Sequence, residues 1–181
     1  MTGSAQPIFG TTATAQANPT YDQFSGNITG ANKSVTTVNV SSTNGFRTGL
    51  GVLCGTSSTL FLGSPNQGYI TNVNTSTSSL IIQGLTASVP SGAYVLLNEE
   101  VQTVTISPIQ GNAGNIYIGR DWTTASTSPQ VFSVITNPPT GTYVFNTFQT
   151  PTTDKAHAYN TTEFWVNGTV GDKIIVQYTQ G

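Results

Sequence analysis

Short apolar runs recur about every ten residues from residue 34 onward, and this spacing constrains the fold more than any other feature of the chain. The runs are rich in Val, Ile, Tyr, Phe and Thr, and Gly, Ser, Asn or Pro separates each from the next. They lie at 35–40, 50–54, 59–63, 68–73, 79–84, 93–97, 101–107, 115–119, 130–135, 142–148, 163–168 and 173–178. No segment between them has the period of an amphipathic helix, which a parallel α/β sheet would need. We therefore predict an all-β chain of small barrels or sandwiches.

The adjacent carboxylates Glu99 and Glu100, followed by the strand-like VQTVTIS, mark a boundary within the β-rich region. We predict a first β-barrel or β-sandwich module over 34–100 and a second β-sandwich module over 101–181. A core of about 70 residues is marginal on its own. We therefore expect the two modules to pack on each other or on further copies of the chain.

The N-terminal stretch 1–33 is predicted to be an extended arm, because it has no sustained period of 2 or 3.6 residues. Its isolated apolar residues Ile8, Phe9, Tyr21 and Phe24 are candidate anchors for a neighbouring surface. Such a segment is typical of an arm that becomes ordered on its own body or on another subunit. A frayed terminus is the alternative.

Charge is scarce in this chain. Only 7% of the 181 residues are charged, against about 25% in an ordinary soluble domain, and five Lys and Arg against seven Asp and Glu give a net charge of -2. Neutral polar groups must therefore cover the surface, which favours close contact with copies of the chain or another neutral surface. A solitary low-charge domain is the alternative. The basic residues are scattered, so we expect no nucleic-acid partner and no membrane partner, and the N-terminal sequence predicts no secretory signal peptide.

The reactive residue types are too few and too scattered to indicate catalysis. The lone cysteine, Cys54, lies in the apolar stretch GLGVLCG and is predicted to be a core thiol. The lone histidine, His157, has Asp154 three residues before it, but a catalytic triad needs more than this spacing. We predict that the chain is not an enzyme and has no cofactor.

The carboxylates show no spacing that indicates an acid–base pair or a metal site. Glu99 and Glu100 would point to opposite faces of a strand. A zinc site is not indicated with one His and one Cys. A calcium site built from separate loop carboxylates stays open, and the candidates are Asp121, Asp154 and Asp172.

The two tryptophans receive different predictions. Trp165 lies in the strand-like stretch EFWVNG, and an apolar residue flanks it on each side. We therefore predict that it is a core or interface residue. Trp122 follows Arg120 and Asp121 in a loop-like stretch and is a candidate for an exposed contact. We favour a protein partner for Trp122 over a stacked sugar ring.

Two stretches of the first module resemble a pattern recurrent in virion proteins of tailed phages: SVTTVNVSSTNGFRTGLGVLC and GYITNVNTSTSSLIIQGLTASVPSGAYV. The second module, through GNIYIGRD, FSVITNPPTGTYVF and EFWVNGTVGDKIIVQY, is similar to the β-sandwich endings of phage head-decoration, fibre and capsid-associated proteins. The resemblance covers about residues 34–178. Its motifs follow β periodicity and turn glycines and include no catalytic signature.

The resemblance implies a capsid decoration, or cement, protein that is assembled in the host cytoplasm and binds the outer capsid surface of the virion. Its expected partners are the major capsid protein and copies of itself in a homotrimer. Its expected role is to stabilise contacts between capsomers. A head-fibre or tail-fibre subunit, a small jelly-roll capsid protein, and a carbohydrate-binding or adhesion module are the alternatives.

Overall fold

The protein is all-β, as predicted, in a computed structural model that describes residues 5–21, 34–56, 66–109, 111–119, 133–135, 146–149 and 159–180. The chain forms two compact units. We call Phe9–Asn98 the barrel unit, and Met1–Ile8 together with Glu99–Gly181 the sandwich unit. A short 3-10 helix lies at Thr161–Glu163.

The strands follow one another closely along the chain, at spacings near those of the apolar runs. They are β1 Gln6–Pro7, β2 Gly10–Thr12, β3 Thr20–Tyr21, β4 Ser34–Asn39, β5 Gly51–Gly55, β6 Asn66–Asn74, β7 Ser79–Gln83, β8 Tyr94–Leu97, β9 Glu100–Pro108, β10 Ile116–Gly119, β11 Ser133–Ile135, β12 Asn146–Gln149, β13 Tyr159–Asn160, β14 Trp165–Asn167 and β15 Ile174–Gln180. Most of the predicted runs therefore contain a strand, and the run at 59–63 lies outside the described residues.

The described strands of the barrel unit form one antiparallel sheet in the order β2-β8-β5-β6-β7-β4-β3. Alternate residues along each strand point to one face, and aliphatic side chains fill it. The buried set includes Val38, Val52, Cys54, Ile70, Leu80, Ile82, Val95 and Leu97. This face is the core of the unit.

The sheet curls until its first strand meets the residue that follows β4. Ala13, one residue beyond β2, pairs with Val40, and backbone hydrogen bonds of 2.8 and 2.9 Å between their neighbours flank the pair. Both side chains are buried. Strand β2 and the residue after it therefore close the sheet into a barrel-like ring.

The turn indicated by Asn44 and Gly45 is present, but it does not join two paired strands. Gly45 has φ of 84°, which a glycine adopts at no steric cost, and Phe46 N donates to Thr43 O at 3.2 Å. The strand before the turn, β4, pairs with β7, while β5 pairs with β6 and β8. Local turn chemistry fixes the bend, whereas burial of the alternating faces selects the partner strands.

The described strands of the sandwich unit form two antiparallel sheets. One has the order β1-β14-β10-β11. In the other, β12 and β15 both pair with β9 over Thr103–Ile106, so they lie on opposite sides of β9. Large side chains fill the core of this unit, among them Val104, Ile106, Ile116, Ile118, Phe164 and Trp165.

The described part of the predicted arm is extended and paired into the chain's own sheets. Strand β1 pairs with β14 in the sandwich unit, whereas β2 pairs with β8 and β3 with β4 in the barrel unit. Strands of two or three residues are too short to show a period, which is why the sequence pattern did not reveal them. Residues 22–33 of the arm lie outside the described residues.

Candidate interaction surfaces

The five residues predicted to contact a partner are not brought together by the described structure. Ile8 is half-buried, and its N–H donates to Phe164 O at 2.9 Å. Phe9 is only 7% exposed, so its ring belongs mainly to the chain's own packing. Tyr21 lies in β3, paired with Ser34. Phe24 and Trp122 fall outside the described residues, and a partner-binding role for all five stays a prediction.

The thiol of Cys54 lies in the core of the barrel unit, as predicted. It is 1% exposed, on β5 opposite Val95 of β8. Burial disfavours the thiolate and raises the pKa of Cys54 to about 12. The thiol is therefore protonated and unreactive at neutral pH.

The indole of Trp165 was predicted to lie in a core or an interface, and it is fully buried in the core of the sandwich unit. Its Nε1–H donates to Thr162 O at 3.0 Å. The 3-10 helix that carries this carbonyl is capped at its N terminus, because the Asn160 side chain accepts from Thr162 N and the Glu163 carboxylate accepts from Asn160 N, both at 3.0 Å. The Glu163 carboxylate thus has a structural role.

The carboxylate of Asp172 fixes two loops of the sandwich unit. One oxygen accepts from Ala113 N at 2.6 Å and the other accepts from Thr169 N at 3.2 Å. No group of three or more His, Cys, Asp or Glu side chains that could hold a metal ion is found in the part of the chain that the structure describes. The other calcium candidates, Asp121 and Asp154, and His157 lie outside that part.

A shallow concavity of about 310 Å³ lies beside Asp172 in the sandwich unit. Apolar residues line much of it, namely Ile116, Val166, Val170 and Ile174. Val170 is 81% exposed, on the turn that Gly171 makes with φ of 100°. Because the Asp172 carboxylate already accepts two N–H groups, the concavity suits an apolar group better than acid–base chemistry.

The outer face of the barrel unit is a neutral sheet surface. Residues that alternate with the buried ones on β4, β7, β6 and β5 point outward and lie next to one another in the sheet register. We call this set the neutral face, and it comprises Val35, Thr37, Leu53, Gln67, Tyr69, Ile81 and Gln83. Every member is uncharged.

Tyr69 lies at the centre of the neutral face. Its ring is 41% exposed, and its hydroxyl donates to Oε1 of Gln83, its cross-strand partner on β7. This hydrogen bond joins the two side chains across the strand pair, so a partner would meet the aromatic ring and the amide side by side. Sequence reasoning concentrated on the tryptophans and missed Tyr69. The alternation of Gln67 and Tyr69 with Ile70 places the first two on one face of the strand but does not show whether that face is exposed.

Around this face the barrel unit is almost free of charge. Arg47 is the one charged side chain in the described part of the unit, and it is exposed on the loop before β5. Over the whole range Phe9–Asn98 the sequence has three charged residues, Asp22, Lys33 and Arg47. Contact with this unit therefore desolvates few charges.

Comparison with known proteins gives no relative for this chain: no family model, no curated protein and no solved structure matches it. The candidate surfaces are therefore interpreted from the residues themselves. Within the described ranges, no helix has the length and apolar character needed to cross a bilayer.

Proposed function

We propose that this chain is a non-enzymatic decoration protein that binds the outer surface of a tailed-phage capsid and stabilises contacts between capsomers. Its partners in this proposal are the major capsid protein and copies of itself, arranged as a homotrimer. The neutral face of the barrel unit is the observation that carries the proposal. The resemblance of residues 34–178 to virion proteins supports the same class.

The chemistry of the neutral face suits repeated protein contacts. Hydroxyl and amide groups can exchange their bonds to water for bonds to a partner, and each such exchange has a small net free energy. A buried charge costs much more unless it is paired. An uncharged sheet face with an exposed tyrosine therefore gives weak, compatible contacts, and repetition over a lattice strengthens them by raising the effective concentration.

Co-sedimentation with undecorated capsids of the phage that encodes the chain tests the proposal. The chain should saturate the capsids and raise their thermal stability, and light scattering of the purified chain should give the mass of a trimer. Tyr69→Ala should weaken binding about tenfold, because a tyrosine at the centre of an interface is often a hot spot. Thr75→Ala, on the exposed β6–β7 turn, is the matched control and should leave binding unchanged.

A monomer that does not sediment with capsids would refute the proposal. In that case the exposed ring of Tyr69 and the amides beside it favour the glycan-binding alternative, since sugar rings stack on aromatic side chains and hydrogen-bond to amides. A glycan array with the same two variants decides between the two functions, because only a glycan binder loses a sugar signal on Tyr69→Ala.

A further inference from the structure

The segment Ala5–Tyr21 contributes strands to both units, although a long stretch of sequence separates it from the strands it joins. Strand β1 pairs with β14 in the sandwich unit, and the residues from Phe9 onward complete the barrel unit. Strand β2 pairs with β8 through Gly10–Thr12, and the residues after it pair with Val40 and Val89. Without this segment, β8 and the end of β4 would become open edges with unpaired backbone groups. The segment therefore fills a slot that the rest of the unit leaves between β8 and the end of β4.

Backbone hydrogen bonds account for most of the contacts that hold the segment in this slot. Ala13 and Ala17 each exchange bonds of 2.8 to 2.9 Å with the residues around β8, and Phe9 O accepts from Leu97 N at 2.9 Å. Hydroxyls supplement them, since Thr11 Oγ1 shares a 2.9 Å bond with Ser41 Oγ. Among Phe9–Pro19, where burial is described, the buried apolar side chains are Phe9, Ala13 and Ala17, two of them small. Another copy of the same segment would make identical contacts.

The connection after the segment is much longer than its position requires. Tyr21 and Ser34 are direct cross-strand partners in the β3–β4 pair. Loops of about two to five residues commonly join such strands, whereas residues 22–33 separate these two. A chain of this length reaches up to about 40 Å when fully extended. The segment can therefore reach a neighbouring molecule while β4 stays in place.

We propose that in the assembled state the segment Ala5–Tyr21 is exchanged between neighbouring copies, so that each copy's β2 fills the slot between β8 and β4 of another. This inference rests on the proposed function, because the crowding of copies on a capsid surface drives the exchange. The exchanged and the self-closed forms have the same contacts, so concentration selects between them. Joining the segment to β4 through only twelve residues gives it an effective concentration on the order of millimolar for its own slot. Dilute chains therefore close on themselves, and crowded chains exchange.

The pair of Ala13 and Val40 provides a direct test. The flanking hydrogen bonds make it a non-hydrogen-bonded antiparallel pair, in which the Cα atoms lie about 4.5 Å apart, within disulfide range. In a Cys54→Ala background, Ala13→Cys is placed in one chain and Val40→Cys in a second chain of different mass. The two are unfolded together, refolded at ~10 μM or ~1 mM and oxidised. The disulfide-linked heterodimer should rise on the order of tenfold or more between these concentrations.

Two controls set the limits of this experiment. Chains with Ala13→Cys mixed with chains with Thr75→Cys report random collisions, because Thr75 is exposed on the β6–β7 turn. A chain with both Ala13→Cys and Val40→Cys, refolded dilute, should form the disulfide within itself. If it does so while the mixed single variants give no more heterodimer than the collision control, the exchange is refuted.

If the double variant forms no internal disulfide, a measurement without new cysteines tests the exchange. The chain with Cys54→Ala is refolded at ~1 mM, diluted to ~10 μM and sized by light scattering. Its mass should start above that of the same chain refolded at ~10 μM and relax slowly to that value, because separation requires β2 to unpair from β8. Equal masses at the first measurement contradict the proposal. Loss of exchange with capsid binding intact refutes the exchange alone. Exchange without capsid binding refutes the proposed function alone.

Discussion

The barrel unit has three charged residues in Phe9–Asn98, whereas the sandwich unit has the remaining nine of the chain. In the described barrel unit, backbone pairing and hydroxyls such as those of Thr11 and Ser41 close the structure. In the sandwich unit, the carboxylates of Glu163 and Asp172 bind backbone N–H groups of turns. The difference teaches that two described carboxylates of the sandwich unit fix turns, whereas the broad sheet face of the barrel unit is built without charge.

The largest expected effect comes from the sandwich core. An indole fills that core, whereas aliphatic side chains dominate the barrel core. Trp165→Ala should lower the free energy of unfolding by about 3–5 kcal/mol, through lost burial and the cavity left behind. Unfolding in urea followed by circular dichroism measures the loss. Hydrogen exchange should show that the loss of stability lies in β9, β10 and β14. Trp165→Phe is the milder control, and equal losses in both variants would contradict the account.

A smaller loss is expected from Gly68→Ala in the barrel unit. A Cβ at this position of β6 would lie 2.6 Å from Ile82 Cγ2 and 2.7 Å from Gln83 O, and the carbonyl belongs to the backbone of a paired strand. Such crowding typically costs about 1–3 kcal/mol. Gly92→Ala is the comparison for backbone strain without crowding, since Gly92 has φ of 81° and open space around it. A Gly68→Ala chain as stable as the native protein would show that the strands are not this close.

High pH should destabilise the barrel unit through Cys54. Because burial raises the thiol pKa from 9.0 to about 12, the unfolded state ionises first, and stability falls as the pH rises through 9 toward 12. The loss is roughly 1 kcal/mol for each pH unit above 9. Urea unfolding at pH 8 and pH 10 measures this loss of stability. Cys54→Ala removes the part of the pH dependence that is due to the thiol and leaves the part that is due to other titrating groups. An identical pH dependence in both chains would contradict burial of the thiol.

The smallest expected change is a gain in stability. Thr36 is buried on β4, and its Oγ1 has no hydrogen-bond partner among the described residues. Thr36→Val keeps the shape and removes the unsatisfied hydroxyl, so the free energy of unfolding should rise by about 1 kcal/mol. Thr37→Val, one residue along on the exposed face, should change it by less than about 0.5 kcal/mol. A loss in Thr36→Val would mean that the hydroxyl has a partner.

Much of the strand pattern follows from the sequence, because alternation and turn residues act locally. The strands at Ser34–Asn39 and Ser79–Gln83 and the turn at Gly45 were predicted on this basis. The core positions of Cys54 and Trp165 were predicted from their apolar surroundings. Each of these features depends on a few neighbouring residues.

Strand partners and the exposed surface were not predictable in the same way. A period of two assigns a residue to a face but does not select the strand beside it, so the pairing of β4 with β7 could not be derived. The closing role of Ala13 was hidden because alanine has little hydrophobic signal. Tyr69 was missed because an aromatic residue in a strand is equally compatible with a core.

The salt dependence of capsid binding tests the central claim, that an uncharged face carries the contact, most directly. The affinity of the chain for undecorated capsids is measured by co-sedimentation in ~0.05 M and ~0.5 M NaCl, with Tyr69→Ala in parallel. Because salt screens charge pairs and leaves neutral contacts nearly unaffected, the dissociation constant should change by less than about twofold, and Tyr69→Ala should bind more weakly in both salts. An affinity that falls steeply with salt and ignores Tyr69→Ala would contradict the account, since charged residues elsewhere would then carry the binding.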